Sequence, residues 1–250
     1  MSTFRGFVAA AALLAAAMPA GAAPAALSGD EIVRRMDANT SFRSIEYDGT
    51  LAIYSGETVR TKEMKATALG TSKAIAEFTN PEDKGTKFLK LDKSLWIYFP
   101  SEQDTMKISG HMLKDGMMGS DVSYQDALES DDLFRKYAVT VTGEDSVDGR
   151  PCYVLTMNAV VKDVQYETRK MWVDQERFVA LRQEMYAKSG KLLKVSKVLD
   201  VQRIGDRWFP VKEEISDQLK QGSRTQFIMA DVRLDVPVSG SLFSLRNLSR

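Results

Sequence analysis

One cysteine and one histidine stand among 250 residues, and both scarcities restrict what the chain can be. A lone Cys152 excludes an internal disulfide, and its place in the alternating stretch "RPCYVLTM" reads as a small buried hydrophobe. A lone His111 means that any Ser-His-Asp or Cys-His arrangement would have to use it. No Gly-x-Ser-x-Gly elbow or paired-histidine metal motif surrounds that residue. The carboxylates Asp148, Asp174 and Glu176 fall in apparent hairpin turns, where solvation accounts for them better than acid–base work. The expectation is a protein that is not an enzyme and needs no cofactor. Charge of one sign is missing too: 34 basic residues face 34 acidic ones, and no basic block points to nucleic acid. Pro/Gly/Ser-rich linkers, fixed-period repeats and long apolar runs are absent after the first two dozen residues.

Those first residues are different. Arg5, the apolar run "FVAAAALLAAAMPA" and the small residues "AGAAPA" have the order of a secretory signal, with cleavage expected after Ala22 or Ala23. The run is short for a membrane span and stops at Pro19. No cysteine stands at the cleavage point, so the expected product is a soluble periplasmic protein rather than a lipoprotein. Removing Arg5 leaves 33 basic residues against 34 acidic, a net charge near minus one. Residues 1–22 are thus read as a cleaved signal and 23–250 as a single domain, expected to be monomeric.

Periodicity then assigns the elements. Ser28 and Glu31 in "SGDEIVRRM" have capping-box spacing, and Ile32, Val33 and Met36 follow as an apolar stripe at helical spacing. From Ser44 the period becomes two: Ile45, Tyr47, Leu51 and Ile53 share one face of "SIEYDGTLAIYSG", as a half-buried antiparallel strand requires. Strand patterns continue through "TVRTKEMKATAL", "SKAIAEFT", "TKFLKLD" and "SLWIYFP", and resume from "YAVTVTGEDSV" to "RTQFIMADVRLDV". Between the two sets lies a short helix pattern, "SYQDALESDDLF", with Ser123 as its cap and Asp126 in its first turn. In "SLWIYFP", Leu95, Ile97 and Phe99 alternate with Trp96 and Tyr98, so both faces need an apolar neighbour. A long, strongly curved sheet around a few helices meets these demands, and a concave face too wide for side chains to fill leaves an apolar cleft.

The stretch "HMLKDGMMGSDVSY" gathers His111 with Met112, Met117 and Met118. Thioether and imidazole suit copper(I), but the spacing matches no copper motif, and unbranched methionines equally suit an adaptable cover over an apolar ligand. The lid reading is preferred, with Gly119 allowing the backbone to bend and Ser120 and Asp121 closing the turn.

"LWIYFPSEQDTMKISG" followed by "KDGMMGSDVSYQD" resembles a signature of outer-membrane lipoprotein-sorting proteins, relatives of the periplasmic lipoprotein carrier LolA. A Trp-x-Tyr-x-Pro strand end leads to a Met-Gly-Ser-Asp turn and an aromatic-acid helix start. These are Trp96, Tyr98 and Pro100, then Met118, Gly119, Ser120, Asp121, Tyr124 and Asp126. The stretches "MWVDQERFVALRQEMYAKSGKLLK" and "RWFPVKEEI" extend the resemblance over most of the chain. It implies a mainly β fold, an open and incomplete antiparallel barrel of the LolA/LolB kind, with helices closing its concave face around a cavity for acyl chains. The implied function is carriage of a lipid, or of lipoprotein acyl chains, toward the outer membrane. The alternatives are a periplasmic accessory of an inner-membrane exporter, with that transporter as partner, and copper binding through His111, Met112, Met117 and Met118. The residues expected to line the cavity or its lid are Ile53, Trp96, Tyr98, Met112, Met117, Met118, Trp172 and Phe227.

Overall fold

The computed structural model describes residues 27–129, 134–162 and 164–249; the expected signal segment lies outside them. Helix α1 spans Gly29–Thr40. Six strands follow: β1 (Ser44–Ser55), β2 (Thr58–Leu69), β3 (Lys73–Phe78), β4 (Lys87–Leu91), β5 (Ser94–Phe99) and β6 (Asp104–Ile108). After a short helix α2 (Tyr124–Glu129) come β7 (Tyr137–Val147), β8 (Arg150–Ala159), β9 (Thr168–Asp174) and β10 (Ala180–Tyr186). Strands β11 (Leu192–Ile204), β12 (Arg207–Asp217) and β13 (Ser223–Leu234) and a last turn of helix, α3 (Leu245–Leu248), complete the chain.

All strands join one 13-stranded antiparallel sheet in the order β6-β5-β4-β3-β2-β1-β13-β12-β11-β10-β9-β8-β7. The sheet is not closed into a barrel. Two meanders make it: β1 to β6 runs outward to one edge, and β7 to β13 runs inward from the other until β13 pairs with β1. Short turns suffice within each meander. At Asp148-Gly149, for example, both residues have positive φ (49° and 78°), the backbone of a two-residue hairpin turn. Register shifts in β1, β7, β10 and β11 add local twist, which helps so wide a sheet to curl.

Alternation places residues on two faces. On the concave face, α1 lays Ile32, Val33 and Met36 against Tyr137, Leu155, Met157, Met171 and Val173 of β7–β9. The Ser28 hydroxyl accepts from the Glu31 amide at 3.2 Å, which is half of the expected capping box. The Glu31 carboxylate turns away to Arg34 and Arg35 instead of reaching back. On the outer face, Leu89 of β4 with Trp96 and Tyr98 of β5 lies under a C-terminal cover of Val238, Leu242, Phe243 and Leu248. That cover answers the two-faced apolar pattern of β5: Leu95 and Ile97 belong to the concave cluster, Trp96 and Tyr98 to the outer one. Cys152 is fully buried on the outer face beside Val154, Trp172 and Leu181, and burial pushes its thiol up to about 11, so it behaves as an inert hydrophobe.

Candidate functional site

The connection between β6 and β7 has to travel from one edge of the sheet to the other. Residues 109–129 lie across the concave face, as helical turns Gly110–Lys114 and Met117–Gly119 followed by α2. Two conformational constraints shape this strap. Met118 and Gly119 have φ of 52° and 80°, the left-handed region that costs glycine little. Gly116 has no room for a side chain, because a Cβ there would lie 1.9 Å from the Ser120 carbonyl oxygen.

Polar anchors pin the strap to the sheet. The Asp121 carboxylate accepts from Ser223 Oγ at 2.6 Å and Thr225 Oγ1 at 2.7 Å, while its own amide donates to Thr225 Oγ1 at 2.9 Å. Asp121 and Thr225 are both buried. Farther along, Asp126 accepts from the Ser123 hydroxyl at 2.7 Å, from Tyr166 at 2.9 Å and from Lys194 Nζ at 2.6 Å. Burial raises the Asp126 carboxyl, but the Lys194 charge and the bonds from Lys194 and Ser123 outweigh it and hold it below its usual range. Lys90 of β4 donates to the Leu128 carbonyl at 3.1 Å, so α2 bridges the two halves of the sheet.

Strap and sheet line a partly open cavity of about 530 Å³, within the usual range of small-molecule sites, about 300–1,000 Å³. Its two halves differ in chemistry. Strands β1–β5 and β13 contribute Leu51, Met64, Phe78, Phe88, Leu95 and Phe227, with Met117 and Val122 of the strap above them. Strands β9–β12 contribute Arg169, Gln183, Lys194, Ser196 and Glu213, and Asp126 faces this end. Tyr47, at the boundary, meets Phe227 edge-on at 6.0 Å, and burial pushes its phenol up to about 12. Burial also raises Glu213, with the nearby Asp126 charge adding to the effect and a bond from Ser196 opposing it.

The residues expected at the cavity separate by face. Met117 and Phe227 line it. Ile53, Met112 and Met118 pack in the apolar cluster around it, with Leu51, Phe88 and Ile97. Trp96 and Tyr98 lie on the opposite face under the C-terminal cover, and Trp172 lies among outer-face residues. The reason is strand parity: the lining members of β5 and β9 are Leu95 and Arg169, an odd number of residues away. Trp172 is nevertheless buried, because Lys170 and Arg182 lie over its ring, each 4.7 Å from the centroid, and its Nε1 donates to Asp145 at 2.9 Å. Of the motif residues, Ser120 and Asp121 are buried in the strap, Tyr124 packs 5.8 Å from Phe88, and Pro100 ends β5. His111 is exposed, whereas the Met112, Met117 and Met118 side chains are engaged in packing. Among the described residues, no group of three or more His, Cys, Asp or Glu side chains is arranged to hold a metal ion.

One expectation from the turns is corrected. Asp174 is not solvated: it has no exposed surface, pairs with Arg150, and accepts from the amides of Glu176 at 2.9 Å and Arg177 at 2.8 Å. The polar cavity residues Arg169, Gln183, Lys194 and Glu213 were missed as well. Each follows the alternation rule of its strand, but a polar residue on an inward face reads in sequence like one on an outward face.

An open antiparallel sheet with helices across its concave face is a fold shared with LolA-like solved structures. The chain itself belongs to the family whose model, described as "-like: Uncharacterized protein", matches residues 70–250. A solved DUF1329 family protein from Desulfovibrio piger is 26% identical, with a TM-score of 0.80 over 88% of this chain and 97% of that one. An outer membrane lipoprotein-sorting protein domain from Vibrio parahaemolyticus is 21% identical, with a TM-score of 0.76 over 89% and 98%. A LolA superfamily protein from Nitrosomonas europaea is 20% identical, with a TM-score of 0.72 over 88% and 99%. No curated protein matches the chain.

Proposed function

We propose that this protein is a periplasmic carrier that hides the acyl chain of a lipid or lipoprotein from water while it moves toward the outer membrane. The observation that carries the reading is the apolar half of the strapped cavity. At about 30 Å³ per unit, the share of one water molecule in the liquid, the whole cavity of about 530 Å³ accepts roughly 18 heavy atoms, the size of one fatty acid, chain and head together. Each methylene withdrawn from water contributes about 0.8 kcal/mol, so a chain of that length is held strongly without any covalent step. Methionines in and around the strap suit the task, since Met112, Met117 and Met118 can repack against chains of different shape. The strap's anchors are hydrogen bonds and ion pairs, which can open and reform as cargo enters and leaves. Binding without catalysis is further supported by His111, which stands exposed and outside the cavity lining. Among the described residues, no helix is long and apolar enough to cross a membrane.

Native mass spectrometry with lipid extraction, on protein purified from the periplasm without detergent, tests the reading. Lipid or acylated protein in near-stoichiometric amount is the expected result. A clean apo mass that persists after incubation with lipid would overturn it.

A further inference from the structure

The polar end of the cavity is more than the rim of an apolar pocket. Gln183 Nε2 is buried and has no hydrogen-bond partner among the described residues. A buried donor left in that state costs about 1–3 kcal/mol, so the position calls for an acceptor. Nearby, the Arg169 guanidinium lies over two rings, 4.8 Å from the Tyr166 centroid and 5.4 Å from that of Tyr137. Its Nε donates to Tyr137 at 3.3 Å, and among the described residues no carboxylate pairs with it. Lys194 has Asp126 as its carboxylate partner, at 2.6 Å, and an ammonium has three protons to donate. A second, polar recess of about 140 Å³ shares Gln165 and Lys194 with the cavity and adds Lys114 and Lys220, balanced there by Asp121 and by Asp217, which lies 3.6 Å from Lys220. Of the acids lining the cavity itself, Asp126 is already bonded to Lys194, Tyr166 and Ser123, and Glu213 is pushed toward its neutral form by burial. Donors and positive charge are therefore in excess where the apolar lining stops.

We propose that the cavity takes an amphiphile head and all, its acyl chain in the apolar half and an anionic head group, carboxylate or phosphate, between Arg169, Gln183 and Lys194. This deepens the carrier reading and rests on it. It also separates two cargo classes, because the glyceryl thioether end of a lipoprotein carries no anion to satisfy these donors. A guanidinium suits either oxyanion, presenting paired N–H groups to two oxygens at once.

The test is calorimetric titration of the delipidated mature protein with hexadecanoate, hexadecyl phosphate, hexadecan-1-ol and inorganic phosphate, all below their aggregation limits. Both anionic amphiphiles are expected to bind at least tenfold more tightly than the alcohol. Arg169→Gln and Gln183→Leu are each expected to narrow that gap while leaving the alcohol's affinity unchanged. A single cooperative thermal unfolding transition confirms that each variant is folded, and Gln183→Leu carries the test if Arg169→Gln is not. The relative affinities of carboxylate and phosphate then tell a fatty acid from a phospholipid head. Equal binding of alcohol and anions overturns the head-group inference and leaves the carrier reading standing. Inorganic phosphate binding as tightly as hexadecyl phosphate overturns the amphiphile in favour of a free anion. Failure of every acyl compound to bind sinks the carrier reading itself.

Discussion

Asp174 and Arg150 show how far a single turn residue can depart from its sequence appearance. The carboxylate is wholly buried, and burial alone would raise it. The Arg150 guanidinium and the amides of Arg177 and Glu176 outweigh that effect and hold it below the usual carboxylate range. A carboxylate depressed on folding contributes stability that is fully present above its unfolded pKa and is lost as pH falls through the lower folded value. The Asp174 share of stability is thus constant at neutral pH and disappears below about pH 4. Asp174→Asn leaves Arg150 without its buried partner and should lower unfolding free energy by about 3 kcal/mol. Urea denaturation at pH 7 measures the loss, and the gap between wild type and variant should shrink in the same experiment near pH 3.

At the scale of elements the strap decides most. Its course is set by topology, since β6 and β7 are opposite edges of one sheet. Its position is fixed by few contacts, and those are the places to break it. Asp121→Ala removes both acceptors of Ser223 and Thr225 and leaves the buried Thr225 O–H without an acceptor, though its oxygen still accepts from the residue 121 amide, at an expected cost of about 1–3 kcal/mol. Amide hydrogen exchange should quicken across residues 116–129 while the amides of β7–β9, packed under α1, keep their protection. Gly116→Ala should act on the same segment by a different route, because its Cβ meets the Ser120 carbonyl and forces the turn open. If either variant left exchange in the strap unchanged, the anchoring role assigned to these residues would be wrong.

For the whole molecule, a ligand that binds only the folded state stabilises it by mass action. At a free concentration 100 times Kd the gain is about 2.7 kcal/mol. For a domain of this size that gain raises Tm by about 5 to 11 °C. Thermal unfolding of delipidated protein with and without hexadecanoate should show that shift, and Asp121→Ala should show a smaller one if the strap closes over the chain. A full shift in the variant would mean that the sheet alone holds the ligand.

Local periods of 2 and 3.6 residues suffice for the alternation of the strands, the Ser28 cap and apolar stripe of α1 and the burial of Cys152. The sequence motif from Trp96 to Asp126 also marked the strap. Long-range pairing sets which face of β5 and β9 looks inward, what covers Trp96 and Tyr98, and that Asp174 is buried in an ion pair. The same holds for Arg169, Gln183 and Lys194, which meet at one end of the cavity from three different strands. Facing depends on register across a 13-stranded sheet, where a slip of one residue exchanges inside for outside. Polar side chains on an inward face carry no local sign of it, since their environment is made by strands distant in sequence.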